Sequence, residues 1–98
     1  MKCTDLSKPV LLEQAAEECA ELGKACLKLA RILRGENPTP VTEAEAIDNF
    51  EEEAADVVLS LAVLHEVGYD VSYDDLYDRM MAKLIRWNER LEAAAHGN

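Results

Sequence analysis

The sequence predicts an all-α protein, an antiparallel helical bundle of three long helices. Three stretches place apolar residues three and four positions apart, which is the spacing of a helix that turns one face to a core. Residues that begin or end helices separate these stretches, and no segment has strand alternation flanked by hairpin turns. A chain of 98 residues fits one domain, so we treat residues 1–98 as a single unit.

The first helix is predicted over residues 9 to 34. Ser7 can cap its N-terminus, and Gly35 can take the positive φ that ends a helix. Cys19 and Cys26 lie about 10 Å apart along the helix axis, too far to form a disulfide, so we interpret them as small core residues in a reducing compartment. The expected inner face comprises Leu12, Ala15, Ala16, Cys19, Leu22, Cys26, Leu29, Ala30 and Leu33.

A loop with two prolines, Pro38 and Pro40, separates the first helix from the second, because the residue before a proline is pushed out of helical geometry. Thr42 and Glu45 have the spacing of a capping box and begin the second helix. Gly68 is expected to end it. The expected inner face comprises Ile47, Phe50, Ala54, Val57, Val58, Leu61 and Leu64.

Ser72 and Asp75 predict the start of the third helix. Its apolar stripe comprises Leu76, Met80, Leu84, Trp87 and Leu91. In the second helix, residues 57 to 64 are apolar almost all round, which is more surface than two neighbours in a short monomer would cover. We therefore expect a second copy of the chain to complete the core, giving a homodimer or a dimer of dimers.

The charge balance restricts the partners. Twenty acidic and ten basic residues give a net charge of −10, which opposes binding to a nucleic-acid backbone, so no nucleic-acid partner is expected. No apolar run reaches the ~18 residues of a membrane span, and the first residues lack the apolar run of a signal peptide. We expect a cytoplasmic protein that does not bind membranes.

Two carboxylate pairs occupy equivalent places on the first two helices. Glu18 and Glu21 are three residues apart, Glu53 and Asp56 are also three apart, and an offset of 35 residues relates the pairs. If the helices pack antiparallel, the four carboxylates converge, and like charges that close together need a cation. Oxygen ligands without His or Cys select Mg²⁺ or Mn²⁺. The sequence therefore predicts a metal site.

The alternative is that these carboxylates form solvated acidic faces, as a lone Glu-x-x-Glu on an acidic helix usually does. The chain would then be a non-catalytic acidic helical-bundle interaction module. A di-iron bundle needs Glu-x-x-His pairs, and neither His65 nor His96 has a glutamate three residues before it. The repetition of the motif on the same flank of two core helices favours the metal site over the solvated face.

Cations on two helices are candidates for phosphate binding. Lys28 lies on the carboxylate line of the first helix, seven residues after Glu21. Such cations can meet metal-bound phosphates, or they can be surface side chains paired with nearby carboxylates. The third helix has a basic line with spacings of four, three and four: Arg79, Lys83, Arg86 and Arg90.

The segments Glu-Glu-Cys-Ala-Glu-Leu and Glu-Glu-Glu-Ala-Ala-Asp-Val-Val-Leu resemble the paired acidic motifs of the MazG-like all-α nucleoside triphosphate pyrophosphohydrolases, over roughly residues 11 to 90. The resemblance implies a MazG-like four-helix bundle completed by dimerisation. It also implies Mg²⁺-dependent hydrolysis of a nucleoside triphosphate between the α and β phosphates, giving the monophosphate and pyrophosphate. Housecleaning of the nucleotide pool is compatible with that reaction.

The resemblance assigns roles to individual residues. Glu17 matches the outer glutamate of the first motif, which implies that it orients water or a metal ligand. Basic residues after the second motif often meet the phosphates in this family, which implies that role for Lys83, Arg86 and Arg90. The sequence departs from phosphoribosyl-ATP pyrophosphatases, which often carry Tyr-His at the position of Leu59 and Ser60. The matched Mg²⁺ ligands are Glu18, Glu21, Glu53 and Asp56.

Overall fold

The computed structural model describes residues 1–36, 40–69 and 72–96, and the regular structure in these ranges is entirely helical. A short 3-10 helix, η1 (Cys3–Asp5), precedes α1 (Lys8–Leu33), α2 (Glu43–Glu66) and α3 (Tyr73–His96). The all-α prediction with three long helices is confirmed. Part of the predicted proline loop, including Pro38, lies outside the described residues. None of the described helices has the combination of length and apolar character needed to cross a membrane.

Side-chain caps fix the starts of α2 and α3. The backbone N–H of Glu45 donates to Thr42 Oγ1 at 3.1 Å, and that of Asp75 donates to Ser72 Oγ at 3.1 Å. Each hydroxyl satisfies a backbone donor that the first helical turn leaves without a partner. Ser7 occupies the N-cap position of α1, but its side chain makes no capping hydrogen bond. The caps predicted at Thr42 and Ser72 therefore form. Ser7 contributes only the backbone conformation of an N-cap residue.

Helices α1 and α2 form an antiparallel hairpin. Gly35 and Gly68 follow them with φ of 72° and 96°, a left-handed conformation that glycine adopts without steric cost and that ends a helix. Lys8 at the start of α1 places its Nζ 5.1 Å from the ring centroid of Tyr69, just beyond α2. The N-terminus of one helix therefore lies beside the C-terminus of the other.

The hairpin packs along a seam with a seven-residue repeat. On α1 the buried and half-buried seam positions are Leu11, Ala15, Glu18, Leu22, Ala25, Leu29 and Ile32. Adding 35 to each number gives the seam of α2 and its C-cap: Ala46, Phe50, Glu53, Val57, Ser60, Leu64 and Val67. Spacings that alternate between four and three are those of helices packed with knobs in holes. A glutamate therefore stands at the third seam position of each helix.

The single chain leaves much of its surface uncovered. Its accessible surface is 7688 Å², whereas a monomer of this mass typically has about 5,600 Å². Its radius of gyration is 17.5 Å, compared with about 13 Å for a compact domain of this length. Within the described ranges, no Cα atom of α3 lies within 8 Å of one in α1 or α2. The apolar stripe of α3 is therefore exposed, with Trp87 at 60%.

The prediction that Cys19 and Cys26 are core residues is wrong for the single chain, because both thiols are exposed. Leu12 and Leu33 of the same predicted stripe are exposed as well. The physical reason is that α1 has two apolar faces. The face that contains Leu11 packs on α2, and the predicted stripe follows the other face more closely.

Candidate metal centre

Carboxylates from α1 and α2 meet across the seam. One oxygen from each of Glu18, Glu53 and Asp56 lies within 4.8 Å of the other two. Glu18 and Glu53 are half-buried, and Asp56 is exposed at the edge of the seam. The antiparallel packing of two helices that carry the same motif produces this convergence. Three carboxylate oxygens from three side chains can ligate one divalent cation.

This arrangement makes the Glu53 carboxyl harder to ionise. Partial burial raises the pKa of the Glu53 carboxyl above its ordinary value, and the negative charges of its neighbours raise that pKa further. These neighbours are Asp56, Glu21, Glu18 and Glu52. A cation among the carboxylates would reverse the effect, because it would favour the ionised form.

Glu21, the fourth predicted ligand, lies beside the three converging carboxylates. It is near enough for its charge to raise the pKa of Glu53, and its Oε1 lies 3.4 Å from Lys24 Nζ in an exposed ion pair. Exposed pairs of this kind hold a side chain weakly. Glu17 is exposed on α1, next to Glu18 in sequence. The structure thus brings three of the four predicted ligands together and keeps the fourth adjacent.

Two polar side chains that had no predicted role contact the cluster. Gln14 Nε2 donates to Glu18 Oε1 at 2.7 Å, and Ser60 Oγ donates to the backbone oxygen of Asp56 at 2.9 Å. Each lies four residues from its partner, on the same helical face. That spacing is visible in the sequence, so Gln14 could have been found as a support for the Glu18 carboxylate. The Ser60 hydroxyl bonds the helix backbone and not a carboxylate.

The predicted phosphate-binding cations lie apart from the carboxylates within one chain. Lys28 is half-buried on α1, about 10 Å along the helix axis from Glu21. The basic line of α3 lies beside Trp87 on an exposed face of that one helix. No described Cα atom of α3 lies within 8 Å of one in α1 or α2, so this face and the carboxylates are separate features of the single chain. All four members of the line belong to this face: Arg79, Lys83, Arg86 and Arg90.

Comparison with protein families gives a match to the MazG nucleotide pyrophosphohydrolase domain over residues 7–91. The chain belongs to this family. The matched range includes both acidic segments of this chain and most of α3, and it confirms the resemblance seen in the sequence. Comparisons with curated proteins and with solved structures gave no significant match.

Membership in the MazG family supports a nucleotide pyrophosphohydrolase, a hydrolase that acts on acid anhydrides. Nucleotide substrates carry phosphates, whose negative charge a carboxylate cluster would repel. A divalent cation between the carboxylates and the phosphates removes that conflict. The acidic cluster of this MazG domain is therefore its candidate metal centre.

Proposed function

We propose that this protein is a Mg²⁺-dependent nucleoside triphosphate pyrophosphohydrolase that cleaves between the α and β phosphates. The observation that carries the proposal is the convergence of Glu18, Glu53 and Asp56 across the seam of a MazG-family chain. Two of these carboxylates occupy seam positions that packing alone would fill with apolar side chains. A partly buried charge is costly without a partner, and such groups concentrate at functional sites.

The donor atoms suit a hard divalent cation. The cluster offers carboxylate oxygens only, without a described His or Cys among its members. Such ligands favour Mg²⁺, and Mn²⁺ is expected to substitute for it. We include Glu21 as a fourth ligand because its charge already acts on Glu53. When bound, the metal would neutralise phosphate charge and acidify a water molecule.

The chain's own groups supply the remaining functions. The hydrogen bond from Gln14 restrains the Glu18 carboxylate, so this ligand is oriented before the substrate arrives. Glu17, on the exposed side of α1, is proposed to orient the attacking water. A carboxylate that does not hold the metal accepts the proton of that water as it attacks in line. The bond between the bridging oxygen and the attacked phosphorus breaks, which gives the nucleoside monophosphate and pyrophosphate.

We propose that a homodimer, or a dimer of dimers built from it, completes the enzyme. The accessible surface exceeds that of a typical monomer by about 2,100 Å² per chain, and twice that area lies within the range of obligate homodimer interfaces. Covering α3 with a second copy would remove its exposed stripe from water. Lys28 would serve its own chain, and α3 would bring three cations to the phosphates at the partner's carboxylates: Lys83, Arg86 and Arg90.

We further propose that the protein acts in the cytoplasm on free nucleotides. The net charge of −10 disfavours contact with nucleic acid, but a single triphosphate can be neutralised locally by one metal ion and a few cations. Hydrolysis of non-canonical triphosphates is one use of such a reaction. It would contribute to housecleaning of the nucleotide pool.

Millimolar Mg²⁺ is expected to raise the melting temperature of the metal-free protein. A ligand that binds only the folded state stabilises it by about 2.7 kcal/mol when present at 100 times its Kd. Differential scanning fluorimetry across a MgCl₂ series measures this shift. NaCl at matched ionic strength controls for screening, and Glu53→Gln controls for the site, since it should lose most of the Mg²⁺-specific shift.

Equal shifts with MgCl₂ and with ionic-strength-matched NaCl would contradict the metal centre. A solvated acidic face would be stabilised by charge screening alone, so MgCl₂ and NaCl of equal ionic strength should shift the melting temperature equally. That result would favour the non-catalytic acidic bundle over the enzyme.

A further inference from the structure

A cavity of about 290 Å³ opens beside the acidic cluster, between η1, α1 and α2. Glu18 and Asp56 line this cavity and also belong to the acidic cluster, so the cavity and the cluster adjoin each other. The volume lies near the lower end, about 300 Å³, of the range for small-molecule sites. A molecule with its charged end at the carboxylates would therefore extend its uncharged end into this cavity.

The cavity walls are mainly apolar. Leu6 on the segment after η1 and Leu11 on α1 face Leu59 and Val63 of α2 across the space. Flat aromatic rings bury their faces favourably against such aliphatic surface. The cavity therefore suits a nucleobase better than it suits a second phosphate or another charged group.

Two polar side chains on the same walls can read the edge of a ring. Gln14 uses one amide hydrogen on Glu18, which leaves its second N–H and its carbonyl oxygen for a ligand. The Ser60 hydroxyl donates to the backbone of Asp56 and keeps its oxygen as an acceptor. An apolar cavity with a few convergent polar groups is the usual composition of a specific ligand site.

We propose that this cavity is the nucleoside subsite, with Gln14 and Ser60 as residues that determine base preference. The inference rests on the proposed function and extends it, because it gives the base and sugar a location next to the phosphates. It also gives η1 a function as the outer wall of the subsite. The backbone N–H of Lys2 donates to Asp5 Oδ2 at 2.8 Å, which closes this turn, and η1 contacts α2.

Cys3 provides a direct probe of the subsite. Its thiol lines the cavity and is exposed, whereas the exposed thiols of Cys19 and Cys26 lie on α1 and do not line the cavity. An α,β-imido nucleoside triphosphate with Mg²⁺ should slow alkylation of Cys3 by iodoacetamide about tenfold at ten times its Kd, by mass action. Peptide mass spectrometry follows the three cysteines in one sample, so Cys19 and Cys26 serve as internal controls.

Tripolyphosphate with Mg²⁺ tests the effect of the phosphates without a nucleoside. It should occupy the carboxylate site and leave Cys3 reactive. Equal protection of Cys3 by tripolyphosphate and by the nucleotides would overturn the subsite, and so would unchanged Cys3 labelling across a panel of purine and pyrimidine analogues. Melting temperatures of the same samples distinguish the two proposals, since stabilisation by nucleotide without Cys3 protection overturns only the subsite.

A cavity-filling variant gives a second test. Leu59→Trp should weaken binding of the imido analogue about tenfold or more, because it forces extra volume into the occupied space. Its Mg²⁺-induced shift in melting temperature should match that of the wild type. Leu27→Trp is the matched control, since Leu59 and Leu27 are 62% and 63% exposed and only Leu59 lines the cavity. Unchanged affinity in Leu59→Trp would overturn the inference.

Discussion

Glu53→Gln is expected to lower the rate of pyrophosphate release by about a thousandfold or more. The amide keeps the size of the side chain but removes the charge that would hold the metal. A metal supplies several kcal/mol of transition-state stabilisation, and each change of about 1.36 kcal/mol corresponds to a tenfold change in rate. Steady-state assays with saturating Mg²⁺ measure the loss. Circular dichroism should show unchanged helicity, because Glu53 makes no capping contact and lies within α2.

The same substitution should raise the melting temperature of the metal-free protein at neutral pH. The raised pKa of Glu53 means that the folded protein holds this proton to a higher pH than the unfolded chain does. The free energy of unfolding therefore falls as the pH rises from the pKa of Glu53 in the unfolded chain to its pKa in the folded protein. The loss of stability remains at higher pH. The glutamine amide does not ionise, so the variant should lack this part of the pH dependence.

Glu52→Gln is the matched control for both effects. Glu52 is exposed on the adjacent position of α2 and is not among the converging carboxylates. We expect nearly wild-type turnover and a smaller change in melting temperature. Comparable losses of activity in the two variants, or substantial activity in Glu53→Gln, would contradict the assignment of Glu53 as a ligand.

Mixing two inactive variants should restore activity if α3 acts on the partner's carboxylates. Lys83→Ala should lower turnover about a hundredfold, the usual cost of losing one group that stabilises developing charge. Each mixed dimer of Lys83→Ala and Glu53→Gln chains contains one site with an intact lysine and intact carboxylates. Random re-pairing should therefore recover about a quarter of wild-type activity, since half of the dimers are mixed and half of their sites are intact.

The control mixture combines Glu18→Gln with Glu53→Gln. Both substitutions disable the carboxylates of their own chain, so no intact site forms in the mixed dimer. Recovery in neither mixture would contradict delivery of Lys83 by the partner. Light scattering at micromolar concentration gives an independent check, because a measured mass of one chain would contradict the proposed dimer.

Much of the fold follows from local sequence chemistry. Thr42 and Ser72 each accept a hydrogen bond from the N–H three residues later, and Gly35 and Gly68 take the positive φ expected of them. These features need no knowledge of tertiary packing. The convergence of the carboxylates was also predictable, because an offset of 35 residues is a whole number of seven-residue repeats and places Glu18 and Glu53 at equivalent seam positions.

The burial of individual apolar residues could not be predicted in the same way. Helix α1 has apolar residues on two faces, and helical periodicity does not say which face packs on α2. Cys19 and Cys26 were assigned to the core for that reason, although Leu11 and Ala25 are the buried residues. Nor does the spacing of the α3 cations fix their position relative to the carboxylates, because that position depends on contacts between helices distant in sequence.

Product identification by ³¹P nuclear magnetic resonance is the most direct test of Mg²⁺-dependent cleavage between the α and β phosphates. The substrates would be canonical and modified ribo- and deoxyribonucleoside triphosphates, each with Mg²⁺ or Mn²⁺, with Glu53→Gln as the inactive control. We predict equimolar nucleoside monophosphate and pyrophosphate from at least one of them. No turnover across the panel with either metal, or release of nucleoside diphosphate and orthophosphate, would contradict the proposed function.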